Sequence, residues 1–258
     1  MFHDLTGVTK LQPEPAGNAG SDSVGPLAVF LDFDGTLVDL APQPDAIDVT
    51  GVEGFVAALS KALDGRLVLV SGRSVDDLRR HMPSCDVPIY GSHGAEVWTG
   101  NAVVPRVEVP DEMTQMRRSG QAFAKDHPDV LFEDKPLGFA LHYRQAPELE
   151  APVHDMLHQL TEDEAGISLQ DAKMAFEVKP TGVDKGAAVR DAMARFGWED
   201  AVPVMIGDDV TDEAGMTAAA QMGGFGIKVG EGPTVARWRI DSPSALRRTL
   251  STYFGIVS

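Results

Sequence analysis

Cysteine is nearly absent: Cys85 is the only one in 258 residues. No internal disulfide can form, so folding needs no oxidising compartment. The thiol reads as a small buried or half-buried filler. Basic residues are also scarce. Lys and Arg number 22 against 39 Asp and Glu, giving a formal net charge of -17. So acidic a surface speaks against nucleic acid and anionic membranes as partners, because both require clustered cations. No stretch approaches the ~20 apolar residues of a membrane-crossing helix. Residues Met1 to Gly25 lack the basic start and apolar block of a secretory signal. Rich in Gly, Pro, Asp, Ser and Asn, residues 1–24 read as a disordered tail. These absences together predict a cytoplasmic location. No internal repeat is visible.

What is present is an ordinary globular composition, 43% hydrophobic and 24% charged. It is enough for one large domain or two modest ones. An apolar run from Leu27 to Phe33 reads as a buried parallel strand. The spacing of Val52, Phe55, Val56, Leu59 and Leu63 predicts a helix. A strand over Arg66 to Val70, a helix over Ser74 to Met82 capped by Ser74, and a short strand at Ile89 and Tyr90 follow. From about Val104 to Val178 the rhythm becomes helix, two strands, helix, two strands, as in a small α+β unit with hairpins. Then Asp184 to Phe196, Val202 to Ile206, Thr211 to Met222 and Gly226 to Val229 resume the alternation, with a last helix at Ser244 to Phe254. The expected fold class is α/β, a doubly wound parallel sheet, with the core at 25–103 and 179–258 and an inserted cap at 104–178.

Ligands of open α/β sheets bind beyond the carboxyl ends of the strands. Four clusters sit at such ends or at the helix starts that follow. They are Asp32-Phe33-Asp34-Gly35-Thr36-Leu37, Ser71-Gly72-Arg73, Asp184-Lys185-Gly186 and Gly207-Asp208-Asp209-Val210-Thr211-Asp212-Glu213. Asp32 and Asp34 flank one residue on an extended chain and can point at one site. Gly35 permits a sharp turn with backbone N–H groups close to a phosphate. The hard carboxylate oxygens of Asp32 and Asp208 suit octahedral Mg²⁺. The Ser71 hydroxyl and Lys185 ammonium would hold phosphoryl oxygens as their charge shifts. Gly35, Thr36, Gly72 and Arg73, which complete the same turns, count as further substrate contacts. Singly, an Asp-x-Asp is usually a solvated turn, a Ser-Gly a loop and an Asp-Asp a helix cap. Four in this order, each at a strand end or helix start, are not explained that way.

These clusters resemble the motifs of the haloacid dehalogenase superfamily, from residue 27 onward. The resemblance implies Asp32 as nucleophile, Asp34 as general acid and base, and Ser71 and Lys185 as phosphate holders. It also implies Mg²⁺ on Asp32, Asp208 and the Asp34 carbonyl, with Asp209 and Asp212 holding metal-bound waters. An α/β cap between the second and third motifs matches the subgroup acting on phosphorylated sugars. Three segments (Gly91 to Glu96, Phe139 to Pro147 and Gly207 to Glu213) are similar to those of trehalose-6-phosphate phosphatases. That family implies hydrolysis of trehalose 6-phosphate through an aspartyl-phosphate, the last step of trehalose biosynthesis, with a trehalose-phosphate synthase as a pathway partner.

Side-chain alternation in the cap adds to this. Glu133 and Lys135 share a face, as do His142 and Arg144, and Glu177 and Lys179. The opposite faces carry Phe139, Leu141 and Tyr143, and Met174, Phe176 and Val178. A mixed donor and acceptor surface suits sugar hydroxyls, although half-exposed antiparallel sheets often carry a merely solvated face. The resemblance moves Glu133, Lys135, Arg144 and Glu177 toward substrate contact; His142, on the face it shares with Arg144, is counted with them, and Lys179 is left open between a contact and a surface charge. His93 and Glu96 read as structural or supporting groups. Other classes fit less well. An EF-hand would need its glycine later and a Glu where Gln43 stands. A phosphoacceptor signalling domain would lack the base that Asp34 supplies. A dehydrogenase would carry Gly-x-Gly-x-x-Gly after the first strand. An idle partner of a synthase would not keep the whole catalytic set. A phosphatase for another sugar phosphate, such as sucrose phosphate, differs only in the cap.

Overall fold

Apolar strand sequences bounded by acidic turns dictate the architecture of this computed structural model, which describes residues 25–41, 47–135, 137–172 and 174–256. The tail expected at 1–24 lies outside them. In chain order the elements are β1 (Leu27–Leu31), α1 (Val52–Ala62), β2 (Leu67–Val70), α2 (Val75–His81), β3 (Ile89–Gly91), β4 (Glu96–Trp98) and β5 (Val103–Pro105). There follow α3 (Glu112–Asp126), β6 (Leu131–Asp134), β7 (Phe139–His142), α4 (Glu150–Thr161), β8 (Ile167–Ala172) and β9 (Ala175–Pro180). The chain continues with α5 (Lys185–Arg195), β10 (Val202–Gly207), α6 (Val210–Gln221), β11 (Phe225–Val229), β12 (Trp238–Ile240) and α7 (Pro243–Phe254).

Contacts divide the chain into two units, one running to Arg106 and resuming at Asp184, the other spanning Val107–Val183. In the larger unit the strand order is β12-β11-β10-β1-β2-β3-β4-β5, parallel as far as β3. Alternate residues of β1 face opposite sides. Val29 and Leu31 pack with Val52, Val56 and Leu59 of α1, Leu78 of α2 and Leu246 and Leu250 of α7. Ala28 and Phe30 pack with Ala188, Val189 and Ala192 of α5 and Met216 of α6. Helices therefore cover both faces, which is why the central strands β1, β2 and β10 are apolar throughout. β1 lies between β10 and β2, where the strand order reverses and a crevice opens beyond the carboxyl ends.

Three strands were not apparent in the sequence. β4 and β5 extend the sheet antiparallel to β3, and β12 adds a parallel edge to β11. Each has only three residues, as does β3, but no α-helix separates any of them from the strand before it, so the strand–helix rhythm that located β3 does not mark them.

The smaller unit is a four-stranded antiparallel sheet, order β6-β7-β9-β8. Phe139, Leu141, Phe176 and Val178 form a core with Met113 and Met116 of α3 and Val153 and Leu157 of α4. The registers Glu133↔Ala140 and Ala140↔Glu177 put Glu133 and Glu177 on the opposite face. β9 runs through Lys179 to Pro180, paired with Ile167, so the division falls at 183 where the sequence suggested 178. β7 stops at His142, and Arg144 occupies an exposed turn beyond it instead of the strand expected. Lys179 is 8% exposed and no surface charge. No helix among the described residues is long and apolar enough to cross a membrane.

Candidate active site

The strand ends deliver their polar residues through short, well-capped turns. Asp32 continues β1, its N–H donating to the Ile206 carbonyl at 3.0 Å. Gly35 turns the chain with φ of +74°, and a Cβ there would lie 2.2 Å from Asp208 Oδ2. Only glycine satisfies both the conformation and the approach. Asp184 caps α5 by accepting the Ala187 N–H at 2.7 Å, which fixes Lys185 in the first turn. Asp212 accepts the N–H groups of Asp208 and Asp209 at 3.1 and 2.9 Å through one oxygen, tying the start of α6 to the end of β10. Lys228 of β11 donates to the Asp208 carbonyl and holds that loop from behind.

These turns bring five groups together. Lys185 Nζ donates to Asp32 Oδ1 at 2.7 Å and to Asp212 Oδ1 at 2.6 Å. The Thr36 hydroxyl lies 3.2 Å from Asp32 Oδ2 and 3.1 Å from Asp208 Oδ1. With one proton it serves one carboxylate at a time. Asp32 is 4% exposed, Lys185 3% and Asp212 0%. Burial pushes the Asp32 carboxyl up to about 6 against the pull of Lys185, with the charge of Asp208 adding to the rise. Burial and the Asp32 charge likewise push Asp212 up to about 6, and burial with Asp212 raises Asp208. Burial opposes the Lys185 charge, but the two carboxylates outweigh it and hold the ammonium above its usual range. One ammonium is thus too little positive charge for three carboxylates. Oxygens of Asp32, Asp208 and Asp212 lie within 4.8 Å of one another. Hard oxygen donors and surplus negative charge fit a divalent cation such as Mg²⁺. Asp212 is fully buried and absent from the cavity wall, with its oxygens held by Lys185 and the Asp208 and Asp209 N–H groups, whereas Asp32 and Asp208 face the cavity and are the better placed ligands.

Asp34 points elsewhere. Arg73 grips it with a fork, Nε to Oδ2 at 2.7 Å and Nη2 to Oδ1 at 2.8 Å. Asp32, Asp34, Gly72, Arg73, Lys185, Asp208 and Asp209 line a cavity of about 660 Å³. Ser71 is buried and not among the lining residues, its Oγ accepting the Arg73 N–H at 3.1 Å. Thr36 is fully buried.

His93 and Asp77 also line the cavity, and the sequence reading gave neither a place in it. The His93 N–H donates to the Ser71 carbonyl at 2.8 Å, and the ring sits where a Cβ on Gly72 would come within 2.7 Å. The strand-end rule that found the other clusters also points here, since β3 ends at Gly91. Glu96 has a supporting role. It accepts the Val75 N–H at 2.8 Å and the Ser92 hydroxyl at 3.0 Å.

The smaller unit gathers its own set. Lys135 Nζ meets Glu177 at 3.0 Å and Glu133 at 4.0 Å, and His142 Nε2 lies 2.8 Å from Glu133 Oε2. Arg144 stands apart on its turn.

Comparison with known proteins decides the family. The trehalose-phosphatase family model matches residues 30–248. The chain belongs to the trehalose-phosphatase family. It is 35% identical over 215 residues to the trehalose-6-phosphate phosphatase of Escherichia coli K12, covering 83% of this chain and 81% of that one. A solved trehalose-6-phosphate phosphatase of Aspergillus fumigatus superposes with a TM-score of 0.72 over 90% of this chain and 94% of that one, at 23% identity. A haloacid dehalogenase-like hydrolase of Bacteroides thetaiotaomicron shares the fold at 15% identity and a TM-score of 0.61, over 87% of this chain and 98% of that one. This family member is accordingly a phosphate monoester hydrolase on a haloacid dehalogenase fold.

Proposed function

We propose that the protein hydrolyses trehalose 6-phosphate at the Asp32 cavity in two steps, through a phosphoryl group carried on Asp32. The observation that carries this reading is the cluster of buried Asp32, Lys185 and Asp212 with half-buried Asp208, whose surplus negative charge calls for a cation, and a bound cation with the Lys185 ammonium would in turn receive a phosphoryl group. An Asp32 oxygen attacks phosphorus and the bond to the sugar oxygen breaks. Asp34 delivers a proton to that oxygen as trehalose leaves. Asp34 then takes a proton from water as the water attacks phosphorus, and the bond to Asp32 breaks. Inorganic phosphate departs and the carboxylate is restored. Lys185, fixed by Asp212, follows the charge that shifts onto phosphoryl oxygens, and Ser71 supports the same group. Asp32, Asp208 and the Asp34 carbonyl would hold Mg²⁺, which when bound offsets repulsion between carboxylates and phosphoryl oxygens. Gly35, Thr36 and Gly72 would shape the phosphate cradle, and Asp209 would hold metal-bound water.

The proposal assigns sugar recognition to the smaller unit. Glu133, Lys135, His142 and Glu177 offer donors and acceptors in alternation, which suits a ligand made of hydroxyls, and Arg144, on its separate turn, would add a further donor. A trehalose-phosphate synthase would supply the substrate. The test is phosphate release from a panel of sugar phosphates with and without Mg²⁺. Trehalose 6-phosphate should be turned over fastest and only with metal. Faster release from sucrose phosphate or glucose 6-phosphate would remove the named substrate, and full activity in excess chelator would remove the metal.

A further inference from the structure

Arg73 follows the second strand end and was expected to touch the substrate phosphate. At least three of its five guanidinium N–H groups, one on each nitrogen, already bond to carboxylates of the chain. Nε and Nη2 hold both oxygens of Asp34, and Nη1 donates to Asp77 Oδ2 at 2.8 Å. Every guanidinium nitrogen therefore faces a carboxylate. Asp77 is braced in turn by Arg80, whose Nη2 donates to Asp77 Oδ1 at 2.6 Å. The Arg73 side chain is 10% exposed, its backbone N–H is held by Ser71 Oγ, and its guanidinium carbon lies 5.8 Å from the centroid of the buried Phe33 ring.

From this geometry we infer that Arg73 is a positioning residue for Asp34, not a phosphate ligand, and that Asp77 holds Arg73 for that task. A carboxylate on a short stem at a strand end has rotamers to choose from, and only some place an oxygen within reach of the departing sugar oxygen. A bidentate fork fixes both the plane and the rotation of the carboxyl group, which a lysine cannot do. It still leaves a lone pair free on each oxygen, because a carboxylate offers about four acceptor sites and the fork uses two. The inference rests on the proposed role of Asp34 as proton donor to the leaving group. It explains why Asp77, on the first turn of α2, lines the cavity without any step of its own.

Leaving groups provide the test. The sugar alkoxide needs a proton as it departs, whereas an electron-poor phenolate leaves without one. The value of kcat/KM reports events only as far as that departure. It should be measured for trehalose 6-phosphate and para-nitrophenyl phosphate with the Mg²⁺-loaded enzyme and with Arg73→Met, Arg73→Lys, Asp77→Asn and Asp34→Asn. We expect Arg73→Met to lose about 100-fold on the sugar phosphate, the usual penalty for misplacing a proton donor. Its loss on the aryl phosphate should be smaller by at least about tenfold. Arg73→Lys and Asp77→Asn should show the same selectivity at lesser depth, and they carry the test should Arg73→Met fold poorly. Adding Arg73→Met to Asp34→Asn should cost the sugar phosphate little more. Equal losses on both substrates in the Arg73 and Asp77 variants, with Asp34→Asn still selective, would overturn the inference and return Arg73 to the phosphate. Equal losses in Asp34→Asn itself would instead remove the proton-donor reading on which it stands.

Discussion

Each unit places a lysine between two carboxylates, and burial separates the two arrangements. Lys185 lies 2.7 Å from Asp32 and 2.6 Å from Asp212 with 3% of its side chain exposed. Lys135 lies 3.0 Å from Glu177 and 4.0 Å from Glu133, 30% exposed, and Glu133 is 47% exposed. The first arrangement is held in a medium of low dielectric, where removing one partner strands a charge. The second is screened by water and contributes little on its own. Fixed charges suit a site where phosphorus must meet one oxygen. Loosely paired charges suit a surface that must exchange its own partners for the hydroxyls of a sugar.

Breaking the buried arrangement should give the largest effects. Asp32→Asn removes the attacking oxygen and should lower turnover by roughly a thousandfold or more with the fold intact, as activity assays and circular dichroism would show. A residual tenth of the activity would rule out attack by Asp32. Lys185→Met should destabilise the protein by about 3–5 kcal/mol near pH 7.5, read by urea unfolding. The loss should shrink as pH falls through about 6, because Asp32 and Asp212 accept protons there. The sign follows from linkage: both carboxyls titrate higher in the folded state than their usual 3.8, so the unaltered, metal-free protein loses stability as pH rises across that interval.

Metal addition sharpens the same point more gently. Mg²⁺ at 100 times its dissociation constant should stabilise the protein by about 2.7 kcal/mol, visible as a thermal shift. The shift should fade below about pH 6, where protons compete for Asp32, and should be much reduced in Asp208→Ala at the same Mg²⁺ concentration. The smallest stability effects belong to the second unit. Lys135→Ala or Glu133→Ala should alter stability by about 1 kcal/mol or less, yet lower kcat/KM for trehalose 6-phosphate about tenfold with little change for an aryl phosphate. Arg144→Ala should act in the same direction with a smaller loss, since its turn stands apart from the paired set. A large stability loss in Lys135→Ala would dissolve the contrast between the two arrangements.

How much of this was legible in the sequence depended on range. The doubly wound core was readable because its central strands are apolar on both faces and its helices carry clear stripes and, at Ser74, a clear cap. The strand-end clusters were readable because the rule for open sheets needs only order along the chain. β4, β5 and β12 were hidden because each is three residues long and follows the preceding strand with no α-helix between. Arg144 was placed on a strand because alternation continued past the residue where hydrogen bonding stops. The Arg73 fork joins residues 39 apart in the chain, and nothing local in Ser71-Gly72-Arg73 distinguishes a fork aimed at Asp34 from one aimed at phosphate. The Lys185 pairing to Asp212, 27 residues on, was likewise a product of packing between α5 and α6.

The central claim is that Asp32 carries the phosphoryl group, and trapping tests it most directly. Enzyme in excess over trehalose 6-phosphate with Mg²⁺ would be quenched within a turnover and treated with borohydride, which reduces an acyl phosphate but leaves free carboxylates alone. Peptide mass spectrometry should find residue 32 converted to homoserine, in an amount that rises and falls as trehalose is released. Full trehalose release with no reduced residue, or with reduction at Asp34 or Asp208 instead, would contradict the account.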